Sequence, residues 1–189
     1  MKKMNRREFL TLSGAAVVAL SLAGCGGGPS TPVAPTGKEA ELVEAINKVW
    51  KEKFDAGQVT YEKLTFNQDA VRAVRGYGRV FEKANETPHK LTPSDYAIVL
   101  EESDGFEAEM LKKYGENSLA GAAGVSEPSS ENVVTLECEY SCEDAAVRAF
   151  VEKLLSNSDS RKAEFISVYL PVVQGKTYMT AVVFRNNKA

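Results

Sequence analysis

Between Glu39 and Phe54 the apolar residues Leu42, Val43, Ile46, Val49, Trp50 and Phe54 recur at intervals of three and four, which predicts an amphipathic helix. Asp55-Ala56-Gly57 stops it, with Gly57 free to take a left-handed cap. A second helix is predicted from Asn67 as N-cap, with Gln68 and Asp69 in the first turn and Ala70, Val71, Ala73, Val74, Tyr77, Val80 and Phe81 facing inward. Gly76 and Gly78 each cost that helix about 1 kcal/mol relative to Ala, so close packing is the expected reason for them. Thr87 to Pro93 interrupts the pattern, and shorter helical stretches follow at Ser94–Glu102 and Gly105–Tyr114. Gly115 to Asn132, rich in Gly, Ala, Ser, Glu and Pro, reads as a long surface loop.

Beyond it the period changes. Val134, Leu136, Cys138 and Tyr140 alternate with mostly polar neighbours, as in a half-buried strand over Asn132–Tyr140. Ser141 is then expected to cap a helix whose third position is Asp144, with Ala145, Val147, Phe150, Val151, Leu154 and Leu155 inward. Two strands close the chain, Ala163–Val173 and Lys176–Phe184, joined by a tight turn at Gln174-Gly175. Pro171 removes a backbone donor, so the first of them is expected to lie at an edge or to bulge there. Helices first and an antiparallel hairpin last predict an α+β fold rather than a parallel doubly wound sheet.

The first 24 residues read as an address. Lys2, Lys3, Arg6 and Arg7 form a basic start and Leu10–Leu22 a short apolar run, which suits a secretory signal better than a spanning helix. The closing Leu22-Ala23-Gly24-Cys25 resembles a bacterial lipobox, which implies that Cys25 becomes the first mature residue and carries acyl chains, one through its sulfur. Asn5-Arg6-Arg7-Glu8-Phe9-Leu10 also resembles the twin-arginine export motif, and either that route or general secretion fits. Residues 25–38, with Gly26-Gly27-Gly28 and Pro29, Pro32 and Pro35, read as a flexible tether, and 39–189 as one folded domain.

Composition narrows the partners. The chain of 189 residues carries 23 Lys and Arg against 26 Asp and Glu, and removing residues 1–24 takes the net charge from -3 to -6. That balance argues against a nucleic-acid partner, and makes membrane attachment a matter of buried acyl chain rather than attraction to anionic lipid. One His and three Cys leave no material for a two-His or a four-cysteine zinc site. Nucleophilic chemistry has little support either: no Gly-x-Ser-x-Gly elbow is present, and neither Cys138 nor Cys142 has an evident His partner. Those two cysteines, four apart in an exported chain, are candidates for a disulfide if a turn at Glu139–Ser141 brings them together, with free thiols as the alternative.

In order and spacing the segments resemble the CAP superfamily, to which cysteine-rich secretory proteins and many bacterial SCP-type domains belong. Glu41–Lys48 is similar to its opening helix; Leu64–Phe81 followed by His89 is similar to its second helix and the His beyond it; Gly115-Glu116-Asn117 is identical to its Gly-Glu-Asn motif. Asp144–Leu155 with Ser156–Arg161 resembles its later helix and Asn-Ser-Pro-Gly-His-Arg segment, and Ile166–Val168 with Tyr178–Phe184 its last strands. The resemblance implies a three-layer α/β/α sandwich with a central antiparallel sheet. It also implies a cleft in which two His and two Glu gather and are able to hold a divalent metal. Here His89 matches the first His and Glu116 the Glu of Gly-Glu-Asn, but Ser160 stands at the second His, and Glu152 and Glu164 are merely the nearest carboxylates for the other Glu. The expected cleft is therefore His89, Glu116, Asn117, Ser160 and Glu164, without a cofactor or a bound metal. The function that follows is a membrane-anchored extracytoplasmic binding or interaction module; the alternatives are a cell-envelope or protease-like hydrolase using His89 and Glu116, or binding of lipid or sterol.

Overall fold

The computed structural model describes Pro35 and residues 37–188. Helix α1, Gly37–Asp55, buries Leu42, Val43, Ile46, Val49 and Trp50, the stripe that the three- and four-residue spacing predicts, and Gly57 takes its left-handed place after the end, at φ 71°. A two-residue strand β1, Thr65–Phe66, leads to Asn67, whose side chain accepts the backbone N–H of Asp69 and caps a 3₁₀ turn, Gln68–Ala70. Helix α2, Arg72–Ala84, continues from that turn with Ala73, Val74, Tyr77, Val80 and Phe81 inside, and ends on the left-handed Asn85. The short strand β2, His89–Lys90, and the helices α3, Pro93–Ser103, and α4, Phe106–Tyr114, follow.

The predicted loop over Gly115–Asn132 is in part a strand. Leu119–Ala123 forms β3, with Ala120 and Ala123 buried. Its small residues are what close packing demands: a Cβ on Gly121 would lie 2.2 Å from the Ser160 hydroxyl oxygen and 3.0 Å from the Leu154 carbonyl. A composition that resembles loop is here the signature of tight contact.

The alternating run beyond it shrinks to β4, Val133–Val134, with single bridges from Leu136 to Val125 and from Glu139 to Tyr178. Helix α5 is Asp144–Leu154, preceded by Glu143 rather than capped three residues earlier; Ser141 contributes by accepting the Glu143 N–H through its hydroxyl at 3.1 Å. A second 3₁₀ turn, Ser158–Lys162, leads to β5, Phe165–Tyr169. The predicted closing strands are both interrupted, at Leu170-Pro171 and at Tyr178-Met179, leaving a small hairpin of β6, Val172–Val173, and β7, Lys176–Thr177, before β8, Thr180–Phe184. Gln174 and Gly175 make its turn with φ of 51° and 76°, the paired positive values of a tight hairpin.

The fold is α+β around a four-stranded sheet ordered β1-β5-β8-β3. It is mixed: β5–β8 and β8–β3 are antiparallel, whereas β1 runs parallel to β5, with Thr65 opposite Phe165. Alternation along the strands sends Ile166, Val168, Ala181 and Val183 into a core with α1 and α5, and Phe165, Tyr169, Val182 and Phe184 into one with α2 and α4. A third cluster joins α2 and α3 to the β2–β4 ribbon through Tyr77, Val80, Phe81, Leu91, Val99, Val134 and Leu136.

Candidate functional site

His89 is set by backbone pairing. Strand β2 lies antiparallel to β4 with His89 opposite Val134, and the next residue but one, Leu91, donates its N–H to the Asn132 carbonyl. In this position the imidazole is reached from two sides. Its Nδ1 is 2.6 Å from Glu86 Oε1 and its Nε2 2.9 Å from Asp95 Oδ2, and only 11% of its side chain is exposed. Asp95 is itself built in: at 5% exposure it closes the capping box of α3, accepting the N–H and hydroxyl of Thr92 at 2.8 and 2.7 Å while Thr92 accepts the Asp95 N–H.

Burial alone would lower the basicity of His89, but hydrogen bonds to Asp95 and Glu86 outweigh it, and the imidazole titrates above its ordinary range. Burial alone would raise Asp95; bonds from Thr92 and His89 prevail and hold its carboxyl below the usual carboxylate range. Both ring nitrogens of His89 thus face a carboxylate oxygen, an arrangement that favours the protonated ring.

The other expected cleft residues collect elsewhere. Glu116 and Asn117 precede β3, where the side chain of Asn187 donates to both their carbonyls at 2.9 and 2.8 Å, and Asn117 holds a positive φ of 56°. Glu164 precedes β5 and donates its N–H to the Phe184 carbonyl at the end of β8. Ser160 is fully buried and its hydroxyl donates to the Ala120 carbonyl at 3.0 Å, so it seals β3 rather than lining an opening. These four residues lie toward the end of the sheet where β3 and β5 begin and β8 ends. His89 belongs to the other end, since Val125, just beyond β3, bridges to Leu136, two residues from the His89 partner Val134. A five-residue strand of about 16 Å lies between them. Among the described residues no hydrogen bond or ion pair joins His89 to Glu116.

Sequence reasoning missed the partners that matter. Asp95 had a signal, because Thr92-Pro93-Ser94-Asp95 has the spacing of a capping box. Glu86 had only its place three residues before His89. Arg185 had none: it comes to the Glu164 end of the sheet by strand register, donating its N–H to the Ser118 carbonyl and reaching Asp159 at 3.3 Å through Nη1, while its buried Nε meets no acceptor among the described residues.

Among the described residues Cys138 and Cys142 are not bonded to each other or to another cysteine. The turn that would join them does not form, because Cys138 and Tyr140 are held along the hairpin by Met179 N–H and Thr177 carbonyl bonds, and Cys142 donates instead to the Tyr140 hydroxyl at 3.3 Å. Burial raises the Cys138 thiol above its ordinary range. A depression of about 590 Å³ is lined by Lys53, Gly57, Gln58, Glu152, Leu155 and Arg161; none of the five expected cleft residues lines it, although Arg161 follows Ser160 in the chain. Among the described residues no group of three or more His, Cys, Asp or Glu is placed to hold a metal, and no helix is long and apolar enough to cross a membrane. The signal segment and Cys25 lie outside the described residues. Compared with known protein families, curated proteins and solved structures, the chain finds no match in any of the three.

Proposed function

We propose that this chain is a lipid-anchored, extracytoplasmic CAP-type domain, a three-layer α/β/α sandwich, that works as a binding or interaction module. Helical cores against both sheet faces support the layering, and Gly115-Glu116-Asn117 leading directly into β3 supports the family. So does Asn47 in the opening helix, whose side chain bonds both backbone groups of Leu64, at 3.0 and 2.7 Å, just ahead of the sheet.

The observation that carries binding over hydrolysis is the engagement of His89. A general base must reach the proton it removes, and both nitrogens of this imidazole are turned to Glu86 and Asp95, with Glu116 a strand's length away. The same argument disfavours a resident metal, for the donors matched to the family's cleft are split between two ends of the sheet, and the Ser160 hydroxyl is committed to a carbonyl. A lipid or sterol site has less support, since the depression described above is lined mainly by charged and polar side chains.

Two measurements test the proposal. Cys25→Ala is expected to move the protein from the membrane fraction to the soluble one and to abolish an acyl mass on the mature N-terminus. Peptide, ester and amide substrates incubated with the purified protein are expected to show no turnover that His89→Ala or Glu116→Gln removes. Turnover lost in both variants, with folding intact, would establish the hydrolase instead.

A further inference from the structure

The single histidine of the chain joins three elements at one corner of the third core cluster: the turn after α2 through Glu86, strand β2 through its own backbone, and the first turn of α3 through Asp95. We propose that Glu86–His89–Asp95 is a pH-operated latch: protonated, it clamps the β2–β4 ribbon to the start of α3; deprotonated, it lets that corner open while the main sheet stays closed. This stands on the geometry of the corner and not on the family reading.

The mechanism is a matter of counting donors. The imidazolium has two N–H groups and each meets a carboxylate oxygen within 2.9 Å. When the ring gives one proton to solvent, one nitrogen keeps a hydrogen and the other turns a lone pair toward a carboxylate at the same distance, so a charge-assisted bond becomes a repulsion. Which side gives way follows from what else holds each carboxylate. Asp95 is buried and remains tied to Thr92, whereas Glu86 is 55% exposed and, among the described residues, bonds through its carboxylate to His89 alone. Among the described residues the charges that act on His89 are those of Asp95 and Glu86; β4 presents Val133 and Val134, and Lys90 beside His89 is exposed. The ribbon's own pairing is short, two residues on each strand, and beyond it the Leu91 N–H bonds the Asn132 carbonyl and the Leu136 N–H the Thr87 hydroxyl, so release is a local opening of the His89 corner rather than a loss of the packed Val134 and Leu136.

The test uses the full chain. The imidazole signal of the one histidine gives its titration directly, and hydrogen exchange followed by mass spectrometry reads opening in peptides covering 86–96 and 131–137, with β5 and β8 as internal references. Between about pH 6 and 9, exchange corrected for its intrinsic pH dependence is expected to rise about tenfold at the ribbon, with the midpoint of the imidazole titration, and to stay level at β5 and β8. Glu86→Gln leaves the capping box of α3 in place and is expected to move both midpoints down together. A level exchange profile across the histidine titration overturns the latch. So does a Glu86→Gln variant in which the imidazole midpoint moves and ribbon opening does not.

Discussion

Glu102 is a buried carboxylate held by two arginines. At 8% exposure it meets Arg75 Nε at 2.8 Å and Arg79 Nη1 at 2.6 Å, both one helix away on α2. Burial raises its carboxyl, but the two guanidinium groups prevail and hold it below the usual range. Glu102→Gln is expected to cost about 2 kcal/mol, because it removes the charge that pairs with both arginines while these, each partly exposed, recover some hydration. Urea unfolding of the two proteins checks it. At Gly78 the reason is steric: a Cβ would sit 2.3 Å from the Tyr169 ring, whose hydroxyl donates to Glu82 at 2.7 Å. Gly78→Ala is therefore expected to destabilise by about 1–3 kcal/mol despite the better helix propensity of Ala, and a gain in the urea midpoint would contradict that packing argument. A glycine that looks like a helix fault in sequence is the space another residue occupies.

Among the elements, β3 depends on residues far from it in sequence. It is an edge strand, and the turn Ser158–Lys162 covers its outer side through the Ser160–Ala120 bond. Gly121→Ala is expected to cost about 1–3 kcal/mol through collision with the Ser160 hydroxyl. Adding Ser160→Ala is expected to recover part of that loss, so a double-mutant cycle reads a coupling of about 1 kcal/mol or more; strict additivity would mean that the two residues do not press on each other. The N-cap Asn67 was legible from its neighbours Gln68 and Asp69, and Asn67→Ala is expected to cost about 1 kcal/mol by loss of the bond from the Asp69 N–H. The breaks near Pro171 and Met179 were only half legible. Proline announces that pairing stops, but not that the chain makes a separate hairpin before rejoining the sheet.

For the whole molecule, stability depends on two kinds of titrating group. Asp69, Asp95 and Glu102 are all held below their ordinary values, so what they contribute is present above about pH 4.5 and is lost as pH falls through the lowered values. His89 is held above its ordinary value, so its contribution is complete below about pH 6.5 and is lost as pH rises through the raised one. The urea midpoint, followed by fluorescence of the fully buried Trp50, is expected to be highest between about pH 5 and 6.5 and to fall on both sides. His89→Gln is expected to flatten the alkaline fall and leave the acid one, and an unchanged alkaline limb would deny His89 that role.

What the sequence determined by itself is the set of local elements: the 3.6-residue stripes of α1, α2 and α5, the Asn67 cap, the left-handed Gly57 and the Gln174-Gly175 turn, all of which follow from interactions between near neighbours in the chain. The composition also limited the chemistry, because a single histidine leaves few arrangements open. Tertiary structure decided the rest. It turned a Gly- and Ala-rich loop into β3, since small residues mark close approach only when the approaching surface is known. It placed His89 and Glu116 at opposite ends of that strand, and gave His89 to Glu86 and Asp95 instead. Which side chains meet is a property of strand order and register, set by how two helical cores fill against one sheet, and no local pattern records it.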